Sequence, residues 1–385
     1  MSEARRITEG SGSPYPGQAT MTLLLTGDVM TGRGIDQVLP YSVDPRLYES
    51  FVRDARVYVR IAEERNGPIP ADIGYDYIWG DALEELKRAV PDACIINLET
   101  AVTTSDAYWP EKGIHYRMHP GNIGVLTAAG IDVCVLGNNH VMDWGHSGLR
   151  ETLAVLHDAG VATAGAGEDF QGAAAPAVLG TRAGRLLIFS YACTSSGVPE
   201  AWAAGEGRAG VNLLPTLGVA GAEWVTGQVL PHRRPGDRVV VSVHWGGNWG
   251  YDVPAAQREF AHSLVDAGAA DIVHGHSSHH PKGIEVHGGR LILYGAGDFL
   301  NDYEGIEGHE RFRSDLAVMY FPTLDAGGVL SSLEMAPLQT RRFRLLRPAD
   351  MDVQWMAQTL DRESRRWGCQ VEHSASGRLT LHWNQ

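Results

Sequence analysis

The chain has 385 residues, with 32 Lys+Arg against 46 Asp+Glu, a formal net charge of −14. That acid surplus argues against a protein that grips a nucleic-acid backbone, which takes an excess of Lys and Arg. The length fits one large α/β domain with insertions, or two domains. Hydrophobic residues at 44% and charged residues at 20% can fill a core without disulfide or metal staples.

Segment 1–20 reads as a flexible Ser/Gly/Pro leader; it lacks the apolar stretch of a signal peptide. Nothing later approaches the roughly 20 apolar residues of a membrane span, so a cytoplasmic protein without a membrane partner is expected. Cys94, Cys134, Cys193 and Cys369 stand far apart and form no CxxC pair, which speaks against a zinc-thiolate or redox motif. Thr22 to Thr26 reads as the first buried strand. Apolar spacing predicts a helix over Pro45 to Arg65, ended by Gly67-Pro68, and a second over Asp81 to Val90. Strands follow at Ala93–Ile96, Val133–Leu136, Val239–Val243 and Ile272–Val273. Helices are expected at Gly124–Ala129, Ser147–Ala159 and Ala255–Ala267. The alternation points to an α/β fold with a largely parallel sheet. A second strand group covers Ile284–His287, Leu291–Tyr294 and Leu316–Phe321, with Gly288-Gly289 as a hairpin turn. Beyond it come a helix over Asp350–Asp361 and a terminal hairpin over Gln370–His382. The expected division is a main domain over 21–335 and a C-terminal extension over 336–385 packed on it.

The polar residues fall where the strands end. The apolar runs lead into Gly27-Asp28, Asn97-Leu98-Glu99, Asn138-Asn139-His140, His244-Trp245 and His274-Gly275-His276. In open α/β sheets, ligands sit beyond the carboxyl ends of the strands. Asp28, Glu99, Asn139, His140, His244, His276 and His279 together form the mixed oxygen and nitrogen set of a non-thiolate divalent cation site. A neutral ligand histidine needs an acceptor to fix its tautomer. Asp143 stands three positions after His140, and Asp298 and Asp302 are candidates to serve His276 or His279. His274, His280 and His287 are set aside as ligands, because alternation along a strand puts some of them on the wrong face.

The motifs GDVM at Gly27, NLET at Asn97, NNHVMDWG at Asn138, HWGGNW at His244 and GHSSHH at Gly275, followed by GIEV and GAGDF, resemble the CapA family of poly-γ-glutamate capsule proteins. The likeness covers roughly residues 22 to 322. That family is similar to calcineurin-type metallophosphoesterases, so the resemblance implies an α/β fold with a β-sandwich flanked by helices and a metal centre at one edge. By the same resemblance Asp28 matches a first-motif metal ligand, Glu99 a bridging carboxylate, and Asn139 a ligand carboxamide. His140 matches the histidine that assists the reacting group, His244 a fourth-motif ligand, and His276 and His279 the last histidine pair. The chain departs from the phosphoesterase pattern at Met30, where that pattern has histidine, and in the two serines between His276 and His279. It also carries Asn248 where glutamate often follows HWG, and Asp298 where asparagine is usual. Thioether is a poor partner for a hard cation. One divalent ion is therefore expected, with Ca, Mn, Mg and Zn all open.

One cation flanked by His/Asp pairs suits proton transfer at a substrate carbon. CapA-like relatives in lasso-peptide biosynthesis look like peptide epimerases. The leading expectation is accordingly a metal-dependent epimerase that inverts a Cα, that of the C-terminal residue in a ribosomally made precursor. Its catalytic groups would be His140, Asp143, His279 and Asp298. The alternatives are a metal-dependent hydrolase of γ-glutamyl or phosphoester bonds and a non-catalytic polymer-binding module. Lys112 and Arg117 are candidates to hold a substrate carboxylate, or are solvated loop charges. Trp245 and Trp249 are candidate pocket walls, as is Trp144, for which core packing is the rival reading. A peptide is the expected partner; the oligomeric state stays open.

Overall fold

The computed structural model describes residues 20–110, 112–374 and 377–384. The expected leader lies outside them except for Thr20.

Two mixed β-sheets pack face to face. One runs, in spatial order, Cys369–His373, Leu379–Trp383, Leu330–Arg341, Leu316–Leu324, Met21–Val29, Ala93–Leu98, Val133–Val135 and Ala162–Ala164. Asp298–Leu300 also pairs with the first strand, and Arg344–Leu346 with Leu330–Arg341. The other runs Ile284–His287, Arg290–Leu293, Ile272–His276, Arg238–His244, Gly184–Ala192 and Ala177–Thr181. Side-chain alternation decides which residues meet between the sheets. Leu23 and Leu25 point inward to Val240, Ile272 and Leu293. Leu24 points outward into a core shared with Trp79 and Leu149. Val239, Val241 and Val243 face out to Phe260 and Val225 on the helices Ala255–Asp266 and Gly218–Val229. The central strands are buried on both faces, which is why they read as unbroken apolar runs. The result is the expected α/β sandwich flanked by helices.

Three expectations need correction. The sheets are not largely parallel: Met21–Val29 pairs antiparallel with Leu316–Leu324, and so do both hairpins. The helix expected from Pro45 begins only at Arg56. Residues 45–55 form a loop closed by Ala55 N donating to the Pro45 carbonyl at 2.7 Å, and Phe51 is 70% exposed rather than packed. Leu47, Ala55 and Tyr58 cluster without it, so their helical spacing is met by a loop. The boundary expected at 335/336 falls inside the strand Leu330–Arg341, and the terminal hairpin extends the same sheet. The hairpin turn at Gly288-Gly289 is as expected, with φ of 55° and 75°. Among the described residues, no helix is long and apolar enough to cross a membrane.

Candidate metal and acid/base centre

Asp28 is the penultimate residue of the first strand and is paired on both sides. Its register partner is Asn97 on one neighbour and Asp298 on the other. Gly27 makes this possible: a Cβ there would lie 1.6 Å from the Gly297 carbonyl oxygen. Asp28 N donates to that oxygen at 3.0 Å, and Asn97 Nδ2 donates to Asp28 Oδ1 at 2.7 Å. His244 and His276 are likewise register partners, on adjacent parallel strands of the other sheet. Their Nδ1 atoms lie 2.7 Å apart, and Ser242 Oγ sits 2.8 Å from His276 Nε2. The carboxyl ends of strands from both sheets thus converge on one point. Donor atoms of Asp28, His244 and His276 lie within 4.8 Å of one another.

Glu99 and Asn139 complete the set. Glu99 Oε1 is 3.8 Å from both His140 Nε2 and His244 Nε2. Asn139 Oδ1 is 3.1 Å from His244 Nε2. Asn138, its neighbour, points the other way. It donates to Asn97 Oδ1 and to the Leu98 carbonyl, and accepts from the amides of His140 and Val141.

The donor set fits a cation. Asp28 Oδ2 and Glu99 Oε2 are buried with no donor among the described residues, and the two carboxyls adjoin each other, a costly arrangement that a cation would relieve. Burial, then the charge of Asp298, pushes the Asp28 carboxyl up to about 7. Burial and Asp28 raise Glu99 as well. Burial holds His244 and His276 well below the usual imidazole range, so both are neutral, the form that binds metal.

Two imidazole–carboxylate pairs touch this cluster. On the Glu99 side, His140 Nδ1 lies 2.7 Å from Asp143 Oδ2, and the ring stacks 4.0 Å from Tyr116. Burial, opposed in part by Asp143, pushes His140 down to about 4. On the Asp28 side, His279 Nδ1 lies 2.9 Å from Asp298 Oδ1. Burial alone would lower His279, but the Asp298 charge and hydrogen bond raise it. The two serines after His276 let the chain leave the strand and return: Ser277 has φ of 97°, and His279 N donates to the Asn248 carbonyl at 2.9 Å. Asp28, His279 and Asp298 form a second metal-competent group that shares Asp28 with the first. Asp298 therefore serves His279, whereas Asp302, the other candidate, pairs with Arg33.

The expected substrate contacts divide. Lys112 Nζ donates to Asp143 Oδ1 at 2.6 Å and to the Asn139 carbonyl, so its charge belongs to the His140 pair. Arg117 is turned away. Its guanidinium donates to the Ser105 carbonyl and Asp106 and lies 3.8 Å over the Trp144 ring. Trp245 is 2% exposed and packs on Phe260 with its Nε1 on the Tyr294 carbonyl, so it is core rather than pocket wall. Trp144 is core as well. Trp249 does reach the site, 5.2 Å from the His279 ring and stacked on His309.

Sequence reading missed a support beneath the two pairs. Tyr116 and Tyr303 join hydroxyls at 2.8 Å. Tyr116 lies against His140, and Tyr303 is edge-on to His279 at 5.4 Å. Arg33 sits under both rings and is held by Asp302 and Glu49. A cavity of about 630 Å³ opens beside Tyr303, lined in part by Asn301, His309 and Arg313.

The model of the bacterial capsule synthesis protein family PGA_cap matches residues 22–303. A probable polyglutamine synthesis accessory protein of Mycobacterium tuberculosis is 48% identical over 354 residues, 91% of this chain and 93% of that protein. The PGA biosynthesis protein CapA of Bacillus subtilis is 30% identical over 287 residues, 74% of this chain and 70% of that protein. Among solved structures, a 5′-nucleotidase precursor from Thermus thermophilus matches with a TM-score of 0.44 at 15% identity, over 89% of this chain and 58% of that chain. With five strand-end motifs meeting at one buried donor cluster, and with the match running through all of them, this chain belongs to the bacterial capsule synthesis (PGA_cap) family.

Proposed function

We propose that the chain is a cation-dependent acid/base enzyme that inverts a Cα in a peptide. The observation that carries this reading is that two imidazole–carboxylate pairs adjoin one buried donor cluster at different carboxylates, His140–Asp143 at Glu99 and His279–Asp298 at Asp28. Each carboxylate holds its ring through Nδ1 and leaves Nε2 to act. One imidazole takes the Cα proton; the electron pair of the broken C–H bond moves onto the adjoining carbonyl. The imidazolium of the other pair returns a proton to the opposite face, so hydrogen and charge balance without an oxidant. Asp28, Glu99, Asn139, His244 and His276 would hold a divalent cation, which supplies positive charge against the enolate. Trp249 and the cavity beside Tyr303 offer room for the flanking peptide. The substrate expected under this reading is the C-terminal residue of a ribosomally made precursor of the lasso type. The relatives named for polyglutamine synthesis and PGA biosynthesis extend the class to glutamyl polymers.

A hydrolase is the second reading. It is favoured by the metal-competent group Asp28, His279 and Asp298, which would give two cation positions sharing one carboxylate. Incubation with candidate peptides in D2O separates the two. Gain of one deuteron without fragments supports inversion. Fragments support the hydrolase. Binding with neither outcome leaves a polymer-binding module and defeats both enzymatic readings.

A further inference from the structure

A third donor group, apart from the two that share Asp28, lies at the other end of the inner strands. The strand Arg290–Leu293 runs parallel to Ile272–His276, with Ile272 opposite Leu291. Arg290 therefore marks the end where that pair begins, and His276 the end that forms the central site. His287 is the register partner of Arg290, so the strand Ile284–His287 carries His287 away from the central site. There it meets the helix Ala255–Asp266. Donor atoms of His262, Glu285 and His287 lie within 4.8 Å of one another.

The His262 and His287 rings stack at 3.9 Å with 5° between their planes. Each nitrogen lone pair lies in its own ring plane, so an ion shared by both histidines requires one ring to turn about its side-chain bonds; both are part-exposed and have room to do so. His262 Nε2 is 3.0 Å from Glu285 Oε1. That spacing is close to the about 3.3 Å edge of a tetrahedron built on bonds of about 2.0 Å to zinc. Each of two donors is also held from behind. Tyr294, itself buried, donates its hydroxyl to Glu285 Oε2 at 2.6 Å. Asp266 Oδ1 lies 2.7 Å from His287 Nε2, the arrangement in which a carboxylate fixes a ligand histidine. The three side chains are 24%, 10% and 29% exposed, so the group opens to solvent and leaves a position for water.

We propose that His262, Glu285 and His287 form a peripheral site for a zinc-class divalent cation, with Asp266 and Tyr294 orienting the ligands. Two imidazoles and one carboxylate suit zinc and its neighbours in the transition series; Mg and Ca take oxygen donors. The bound ion ties the helix Ala255–Asp266 to Ile284–His287, the outermost strand of its sheet, whose other side already meets Ser364. The same helix carries Phe260, two residues before His262, against Trp245, which follows His244.

The test is zinc titration of the dialysed full-length chain, followed by calorimetry and elemental analysis. The double variant His262→Gln, His287→Gln is expected to bind one equivalent fewer than the unaltered chain. The variant Asp28→Asn, His244→Asn, which disables the central cluster, is expected to retain one. Zinc should also raise the Tm of that second variant, and adding His287→Gln should abolish the rise. Equal zinc stoichiometry in the unaltered chain and the His262→Gln, His287→Gln variant would overturn the proposal. A check that needs no variant is zinc-edge anomalous scattering from zinc-soaked crystals of the unaltered chain. A peak among His262, Glu285 and His287 is expected, and its absence is equally decisive against the site.

Discussion

Asp28 and Asp298 face each other as register partners on adjacent parallel strands, both almost fully buried. Two carboxylates in that relation repel and lose solvation, so Asp28 is pushed up to about 7 by burial first and Asp298 second. In the cation-free protein, Asp28 therefore holds a proton below that value. A cation has to displace that proton and any carried by Glu99, whose carboxyl burial and Asp28 also raise, so apparent affinity should rise with pH by at least about tenfold per unit below 7. Mn titrations between pH 5.5 and 7.5, in buffers of different ionisation enthalpy, measure both the affinity and the protons released. Flat affinity with no proton release would show that Asp28 is not a ligand.

The two histidine pairs make separable predictions. If each acts on one face, replacing one His with Gln should lower inversion by about 10²–10⁴ in both directions. Hydrogen exchange should survive from a single epimer, the one whose base remains. His140→Gln and His279→Gln should therefore show opposite epimer preferences for deuterium uptake. Asp143→Asn and Asp298→Asn should follow their respective partners, more weakly. Loss of exchange from both epimers in both histidine variants would reject the two-base assignment.

The strand-end donors were legible because parallel strands deliver their carboxyl ends to one edge, and an apolar run followed by a polar residue marks such an end. Adjacency misled where the strand period of two applies. His244 faces the site, so Trp245, the next residue, faces the helices and lies in the outer core. Arg117 sits in the short strand Arg117–Met118 and turns toward Trp144, while Lys112, on the preceding loop, reaches Asp143. Asn138 and Asn139 look alike in sequence; only the hydrogen bonds separate the backbone clamp from the site carboxamide. Arg33 left no local signal at all. Its partner Asp302 is 269 positions away, and no spacing rule connects them.

That network predicts a large stability effect. Arg33 is buried between Asp302 and Glu49 and lies 3.8 Å over the Tyr58 ring. Arg33→Met leaves two carboxylates buried without their cation, a change that destabilises by roughly 3–5 kcal/mol. Glu49→Gln should cost much less, because Asp302 still pairs with Arg33. Urea unfolding of the two variants against the unaltered chain gives the ranking. Equal midpoints for Arg33→Met and the unaltered chain would mean that the network carries no net stability.

Gly27→Ala tests the geometry on which the site depends. The added methyl would sit 1.6 Å from the Gly297 carbonyl oxygen, which belongs to backbone and cannot swing aside. The strands Met21–Val29 and Asp298–Leu300 must separate. The hydrogen bond from Asp28 N to Gly297 is then lost, and Asp28 moves out of register with Asp298. Cation binding and activity should fall together, with a drop in stability of about 1–3 kcal/mol from overpacking. Gly227→Ala is the matched control: it lies inside the helix Gly218–Val229, with no atom of the described residues within 4 Å of the new methyl. That change should leave binding intact and stabilise the chain by roughly 0.5–1 kcal/mol through helix propensity. Normal cation affinity in Gly27→Ala would mean that the approach of these two strands does not position Asp28.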